Sequence, residues 1–205
     1  MRASANSAGV RAAITSSVMA DGTSDRAAVR HHVSCSRPAE HHFRVRSDYS
    51  GLPGPATTLA LPVWTPGSYL VREYARHLEG ARAEDGEGRP LPLERLDKHR
   101  LLVRAGGAAR ATLRYRVYAN ELTVRTCHLD GTHGYLNGAA LFPYVRGRER
   151  EPQVLEVLAP PGWRVATALS GGPAEFTASD YDELADSPVE IGTHRTIGFT
   201  ALGKP

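Results

Sequence analysis

Lysine is almost absent from the sequence, and blocks of like charge are missing altogether. Lys98 and Lys204 are the only lysines, so the net charge of +3 and the pI of about 9.0 come from arginines scattered along the chain. A nucleic-acid-binding surface usually needs a block or stripe of basic residues. The sequence therefore predicts no nucleic-acid partner, and we expect the arginines on solvated strand faces.

Long apolar runs and cysteines are also scarce. No apolar run approaches the roughly 18 residues that a membrane-spanning helix needs, so no membrane partner is predicted. Cys35 and Cys127 are the only cysteines, and neither lies in a Cys-x-x-Cys spacing, which excludes a disulfide framework. We expect two free thiols in a reducing, cytoplasmic compartment, with a single bridge between them as the alternative.

The motifs of hydrolytic catalysis are missing as well. No histidine is followed by glutamate, which excludes the His-Glu-x-x-His zinc motif, and no Gly-x-Ser-x-Gly elbow occurs. Cys127 and His128 are neighbours, so on a strand their side chains would point to opposite faces. We predict no catalytic residue and no metal site in this chain. One alternative is a metal site formed by His32, Cys35 and His42, which crowd one N-terminal hairpin.

The sequence does contain a succession of short apolar–polar alternations separated by turn residues. With 205 residues, of which 41% are hydrophobic, it can bury a substantial core. The pattern predicts an all-β fold, a β-sandwich or saddle-like sheet, with at most one short helix near the C-terminus, over 179–185. The predicted strands are Ala28–Ser34, His41–Ser47, Thr57–Val63, Leu78–Glu84, Leu91–Leu96, His99–Arg104, Ala111–Ala119, Leu122–Leu129, Val154–Leu158, Trp163–Leu169 and Ile191–Leu202.

The most distinctive stretch is Leu61–Leu78, LPVWTPGSYLVREYARHL. It begins as the end of a strand and turns at Pro66–Gly67. Proline presets φ near −65° and glycine accepts positive φ, a combination that predicts a type II turn. Tyr69–Val71 is a second β-prone run, and Arg72 and Glu73 open the charged cluster that follows.

The two ends of the chain differ in composition from the middle. Residues 1–28 are rich in Ala, Ser, Arg and Gly and contain no acidic residue before Asp21, so we expect a disordered extension or a start site at Met19. The predicted organisation is an all-β domain over 29–178 and an acidic link with a last strand over 179–205.

Four segments carry a resemblance to a known family. Leu61–Leu78 resembles the N-terminal domain of the glycyl aminopeptidase family of zinc metallopeptidases, large enzymes that also carry a PDZ domain. Tyr115–Asp130 (YRVYANELTVRTCHLD), Tyr135–Phe142 (YLNGAALF) and Tyr181–Gly192 (YDELADSPVEIG) are similar to further segments of that domain, in the same order. The resemblance covers roughly 29–203.

The resemblance implies a β-rich saddle packed against a thermolysin-like catalytic domain that holds the zinc. This chain ends before the zinc ligands of that domain, so the resemblance implies a truncated or fragmentary chain without a cofactor of its own. Its expected partners are a catalytic domain, in cis or in trans, and a peptide substrate only together with that domain. Asn137 and Gly138 are the candidate substrate-binding residues, and Arg72 and Glu73 are the candidate interdomain residues.

Local explanations compete with each of these assignments. Asn137 and Gly138 could simply supply a positive-φ turn or bulge. Arg72 and Glu73 could form an intramolecular ion pair at the rim. The competing function for the whole chain is a stand-alone β-sandwich interaction module without a peptidase role.

Overall fold

A computed structural model describes residues 28–200, so the interpretation of the first 27 residues lies outside the described part. Within that part the chain forms sixteen short strands and two short α-helices. Two 3₁₀ helices, Pro38–Glu40 and Tyr74–His77, complete the regular structure. The strands are β1 (Val29–Ser34), β2 (His42–Ser50), β3 (Thr57–Ala60), β4 (Leu78–Asp85), β5 (Pro90–Leu91), β6 (Leu93–Arg95), β7 (Arg100–Val103), β8 (Arg110–Tyr118), β9 (His128–Leu129), β10 (His133–Leu136), β11 (Tyr144–Val145), β12 (Gln153–Leu158), β13 (Arg164–Thr167), β14 (Ser170–Gly171), β15 (Glu175–Ala178) and β16 (Val189–Gly192), and the helices are α1 (Gly138–Leu141) and α2 (Tyr181–Asp186).

The strands form three sheets. An eight-stranded sheet has the order β14-β15-β12-β1-β2-β8-β4-β5, and two four-stranded sheets have the orders β13-β16-β10-β9 and β11-β3-β7-β6. The β1–β12 pair is parallel, and the other strand pairs of the described chain are antiparallel. The predicted all-β class is therefore confirmed.

One face of the large sheet is buried in the core, as the alternating burial along its strands shows. In β8, Leu113, Tyr115 and Val117 are buried, while the residues between them face outward. Phe43 and Val45 on the paired strand β2 are buried in the same way. Because successive side chains of a strand point to opposite faces, the apolar residues of both strands meet in one core.

Three buried tyrosine hydroxyls fix the backbone that follows α1. Tyr115, Tyr181 and Tyr49 donate to three successive carbonyl oxygens at 2.9, 2.8 and 2.9 Å. The acceptors, in that order, are Leu141, Phe142 and Pro143. Carbonyls at the end of a helix lack intrahelical partners, and these hydroxyls supply partners inside the core. The segment that contains α1 is thereby attached to β2, β8 and α2.

Helix α1 adds a second helix to the predicted one. The predicted C-terminal helix is present as α2, and Asp180 caps it by accepting from Glu183 N at 2.9 Å. Helix α1 was not predicted, because the Asn-Gly pair at its start is typical of a turn. The position of α1 is determined instead by packing against α2, which is distant in sequence.

Two strand predictions are wrong over most of their length, and the predicted strand Thr57–Val63 ends earlier, at Ala60. Of the predicted strand Leu122–Leu129, only β9 forms, because Asn120 bridges back to His128 and makes the residues between them a connecting loop. The predicted last strand begins earlier, at Val189, and ends at Gly192, after which residues 193–200 contain no strand. Both α2 and β16 pack on the same core as residues 29–178, since Tyr181, Leu184 and Ile191 are buried.

Candidate functional site

The segment between β3 and β4 is a loop that folds back on itself. The predicted turn is present, with Ser68 N donating to the Thr65 carbonyl at 3.0 Å and Gly67 at a φ of 82°. Glycine adopts this positive φ without strain. Arg72 N donates to the Val63 carbonyl at 2.6 Å and closes the loop. Its backbone bonds are therefore local.

This loop exposes large apolar side chains. Tyr69, Leu70 and Val71 are 98%, 63% and 75% exposed, and Trp64 is half exposed. The prediction of a β-strand over Tyr69–Val71 is wrong, because these residues lie inside the loop that the Arg72–Val63 bond closes and pair with no strand of the described chain. Large apolar residues exposed together mark contact surfaces in soluble proteins. We call Trp64, Tyr69, Leu70 and Val71 the apolar loop surface.

Arg72 and Glu73 lie at the end of the same loop. The Arg72 Nε donates to Ser68 Oγ at 3.1 Å, so the guanidinium faces back into the loop. Glu73 is exposed and pairs with Lys98 across the loop base. The hydrogen bond from Lys98 lowers the pKa of Glu73. These contacts stay within the chain, and the interdomain role of Arg72 and Glu73 stays a prediction.

A second loop, over 121–126, is tied to the first through an ion pair. Arg76 Nη2 lies 2.6 and 2.8 Å from the two carboxylate oxygens of Glu121. Burial alone would raise the pKa of Glu121, but the hydrogen bonds from Arg76 and Thr126 and the charge of Arg76 together lower the pKa. Leu122 and Val124 follow Glu121 and are about three-quarters exposed. This loop is thus a second source of exposed apolar side chains.

Asn137 joins the second loop to α1. Its Oδ1 accepts from Ala139 N at 3.0 Å and caps α1, while its Nδ2 donates to the Val124 carbonyl at 3.0 Å. Gly138 is buried against the backbone of Leu184. The structure therefore gives Asn137 and Gly138 clear structural roles, and their contact with substrate stays a prediction.

The two cysteines are free and buried. The alternative of a single bridge between them is therefore excluded. Burial raises the pKa of the Cys35 thiol to about 11 and that of Cys127 to about 12. The thiolate is the nucleophilic form of cysteine, so neither side chain is suited to attack a substrate near neutral pH.

The alternative metal site on the N-terminal hairpin does not form. His32 lies on the solvent side of β1 and contacts Glu156 at 2.8 Å, whereas Cys35 is buried on the other side. His42 Nδ1 contacts the Glu40 carbonyl instead. Successive side chains along β1 and into Cys35 point to opposite faces, so His32 and Cys35 lie on different sides of the sheet and cannot share an ion.

A different group of metal-binding side chains does converge. Within residues 28–200, the one group of three such side chains close enough to share an ion is His128, Asp130 and His133, whose ligand atoms lie within 4.8 Å of one another. The sequence analysis did not predict this group, because the neighbour of His128 in the sequence is Cys127, whereas its neighbours in the structure lie across a turn. The detectable signal was His-x-Asp-x-x-His across the Asp130–Gly131 turn.

The solvent face of the large sheet is lined by arginines and carboxylates. Arg44 and Arg46 are directly opposite Arg116 and Arg114 in the β2–β8 pair, and they line a concavity of about 600 Å³. Each of these arginines forms an ion pair. Arg44 pairs with Glu40 and Arg46 with Asp48, while Arg116 pairs with Glu79 and Arg114 with Glu84. The expectation of arginines on solvated strand faces is confirmed.

The aromatic part of that face does not form a base-stacking platform. Tyr115 is buried in the core, and its hydroxyl donates to a backbone carbonyl. Of the two tyrosines in the Arg114–Tyr118 run, only Tyr118 remains partly accessible. Stacking of nucleic-acid bases needs exposed aromatic rings, so this run is explained by strand alternation.

No helix within residues 28–200 is long and apolar enough to cross a membrane.

Solved structures show what this fold is similar to. The structure is similar to that of an aminopeptidase N family protein from Idiomarina loihiensis, with a TM-score of 0.79 and 33% identity over 85% of this chain. It also matches an M1 zinc metallopeptidase from Deinococcus radiodurans, with a TM-score of 0.47 and 12% identity over 80% of this chain. The chain spans only 31% and 41% of those two proteins. No sequence among curated proteins matches it.

The family itself follows from the sequence profile. The profile described as "Peptidase M61 N-terminal domain" matches residues 30–193, which is most of the chain. The chain therefore belongs to the peptidase M61 N-terminal domain family. The predicted resemblance to the N-terminal domain of a metallopeptidase family is therefore confirmed.

Proposed function

We propose that this chain is the non-catalytic N-terminal domain of a zinc-dependent, glycyl aminopeptidase-like metallopeptidase. It docks on a catalytic domain, in cis or in trans, and forms one wall of the substrate cleft. The apolar loop surface is the single observation that carries this proposal. Its side chains come from the stretch with the strongest family resemblance, and they are exposed although they are large and apolar.

The catalytic zinc of such an enzyme requires residues that this chain lacks. No His-Glu-x-x-His motif occurs in it, so no general base accompanies a pair of helical histidine ligands. We assign the zinc, the general base and any PDZ domain to the remainder of the enzyme. The two buried free thiols support a reducing, cytoplasmic environment for the chain.

Asn137 is our candidate for contact with the amino group of the substrate. An amide oxygen carries two lone pairs, and Ala139 N uses one of those on Asn137. The second lone pair can accept a hydrogen bond from a substrate ammonium group. The bond from Asn137 to the Val124 carbonyl would hold the side chain in place for this contact.

A domain exchange tests the proposal. Residues 28–200 replace the matching domain of the Idiomarina loihiensis protein, and hydrolysis of glycyl and alanyl peptide substrates is compared with that of the parent. We expect the chimera to hydrolyse these substrates and to lose activity when Tyr69 and Val71 are both changed to serine. Zinc content and the melting temperature are the controls for folding. A folded, zinc-loaded and inactive chimera would contradict the docking role.

Asn137→Asp provides a separate test of the cleft assignment in the same chimera. Aspartate keeps an oxygen that can cap α1, but it loses the amide donor to Val124. We expect KM for the amino-terminal substrate to change while the melting temperature changes little. Unchanged kinetics of Asn137→Asp would leave Asn137 with the role of a helix cap alone.

A further inference from the structure

We propose that His128, Asp130 and His133 form a zinc-binding site within this domain. The site lies on β9, β10 and the turn between them. It is separate from the catalytic zinc of the proposed function and does not depend on it. The argument rests on the spacing of the three side chains, the way they are held, and the pocket beside them.

The spacing already approaches that of a coordination shell. His128 Nε2 lies 3.2 Å from Asp130 Oδ2, and His133 Nδ1 lies 3.7 Å from Asp130 Oδ1. Zinc bound at about 2.0–2.1 Å by nitrogen or oxygen ligands in a tetrahedron places neighbouring ligand atoms about 3.3 Å apart. The His128–Asp130 pair already has this spacing, and the three ligand atoms lie within 4.8 Å of one another. To complete the shell, His133 would turn toward Oδ2 and give up the contact of its Nδ1 with Thr132 Oγ1 at 3.0 Å.

The turn holds the carboxylate in place. Asp130 Oδ1 accepts hydrogen bonds from Thr132 N at 2.7 Å, from Thr132 Oγ1 at 2.7 Å and from His133 N at 3.1 Å. These bonds occupy one carboxylate oxygen. The other oxygen, Oδ2, is directed toward His128 and is the one suited to an ion.

His128 has a nitrogen without a partner. Its side chain is only 9% exposed, its Nε2 faces Asp130, and its Nδ1 is buried with no hydrogen-bond partner in the described part of the chain. Buried polar atoms in folded proteins are nearly always bonded to protein, water or an ion. Nδ1 points to the other side of the ring and would keep no partner if an ion were held by Nε2, so the support from His128 is its low exposure, which fixes Nε2 beside the carboxylate.

Strand pairing places a pocket and an additional carboxylate beside the group. Tyr135 is paired with His128 on one side and with Glu190 on the other, so these side chains share one face of the small sheet. His128, His133, Tyr135 and Glu190 line a pocket of about 190 Å³. The pocket has room for water as a fourth ligand.

The donor set favours zinc over harder cations. Two imidazoles and one carboxylate suit Zn²⁺ and related transition ions, whereas Mg²⁺ and Ca²⁺ prefer shells made of oxygen. Ligation would join the ends of β9 and β10 beneath the loop over 121–126. We therefore infer that zinc stabilises this part of the surface around Asn137.

Metal titration of the full-length chain tests the site. The protein is stripped with a chelator, and Zn²⁺ binding is followed by calorimetry, with the visible spectrum of bound Co²⁺ as a probe of tetrahedral geometry. We expect one ion per chain, a tetrahedral cobalt spectrum and a higher melting temperature with Zn²⁺, since a ligand bound only to the native state stabilises it.

Matched variants distinguish this site from unspecific histidine binding. We expect His133→Gln and Asp130→Asn each to weaken Zn²⁺ binding by more than about 100-fold, beyond the loss typical of residues that only support a ligand. His42→Gln is the control and should bind like the unmodified chain. Asp130→Asn keeps the oxygen that accepts from Thr132, so it tests the site without removing the turn. Absence of Zn²⁺ binding, or equal weakening by His42→Gln, would overturn the proposal.

Discussion

Gly138 touches the backbone of Leu184 so closely that no other residue fits in its place. A β-carbon at position 138 would lie 2.6 Å from the Leu184 carbonyl oxygen and 2.9 Å from the Ala185 α-carbon. The glycine of the Asn-Gly pair is therefore required by helix packing, and α1 and α2 contact each other through their backbones.

Gly138→Ala should consequently destabilise the fold. The added methyl group meets backbone atoms that cannot rotate away, and overpacking of this kind typically costs about 1–3 kcal/mol. Urea unfolding followed by fluorescence would measure the loss. Gly131→Ala is the matched control, because a β-carbon there meets no atom within 4 Å. Equal stability of the two variants would contradict the close contact.

The hydroxyl of Tyr181 offers a second test of the same region. It donates to the Phe142 carbonyl at 2.8 Å inside the core, so Tyr181→Phe leaves a buried carbonyl without this donor. We expect a loss of about 1–3 kcal/mol in the free energy of unfolding. Tyr144→Phe is the control, since the Tyr144 ring packs against Tyr181 with its centroid 4.7 Å away but lies nearer the surface. Equal losses would show that the hydroxyl bond contributes nothing beyond packing.

His31 should make the protein sensitive to mild acid. It is fully buried, its Nδ1 contacts Ser47 Oγ at 2.7 Å, and burial lowers its pKa from 6.5 to about 3. Above pH 6.5, His31 is neutral in both the folded and the unfolded protein. As the pH falls below 6.5 the unfolded state gains a proton that the folded state does not, so stability falls by up to about 1.4 kcal/mol per pH unit.

Unfolding free energies between pH 7.5 and 4.5 would measure this effect. We expect His31→Phe to show a smaller loss of stability over that interval, because phenylalanine does not titrate. Phe142→Leu is the control: its ring centroid lies 4.5 Å from that of His31, so it disturbs the same packing but keeps the titrating group. Parallel pH profiles for the unmodified chain and His31→Phe would refute the assignment.

The sequence predicted the parts of this fold that depend on local chemistry. Alternation of Leu113, Tyr115 and Val117 predicted β8, and Pro66–Gly67 predicted the turn that the structure contains. Both signals arise from adjacent residues. Local patterns of this kind determine backbone conformation and the buried face of a strand with little need for distant contacts.

Other parts depend on contacts that no local pattern contains. Leu122 and Val124 alternate like strand residues, but the bridge between Asn120 and His128 places them in a loop. The Asn137–Gly138 pair is typical of a turn, yet contact with α2 makes it the start of a helix. The histidine–aspartate group likewise forms only when β9 and β10 pair across their turn.

The apolar loop surface should make the isolated chain associate with itself. Tyr69 and Val71 are 98% and 75% exposed, so substituting both with serine removes apolar contact area without opening a cavity. We expect the unmodified chain to form oligomers with rising concentration in sedimentation velocity, and the double variant to stay monomeric. Its free energy of unfolding should change by no more than about 0.5 kcal/mol, as for other exposed substitutions. Leu61→Ala is the control, since this buried residue of the same stretch should lower stability by about 2–5 kcal/mol and leave self-association intact. A chain that is monomeric at all concentrations would remove the main support for a docking surface at this loop.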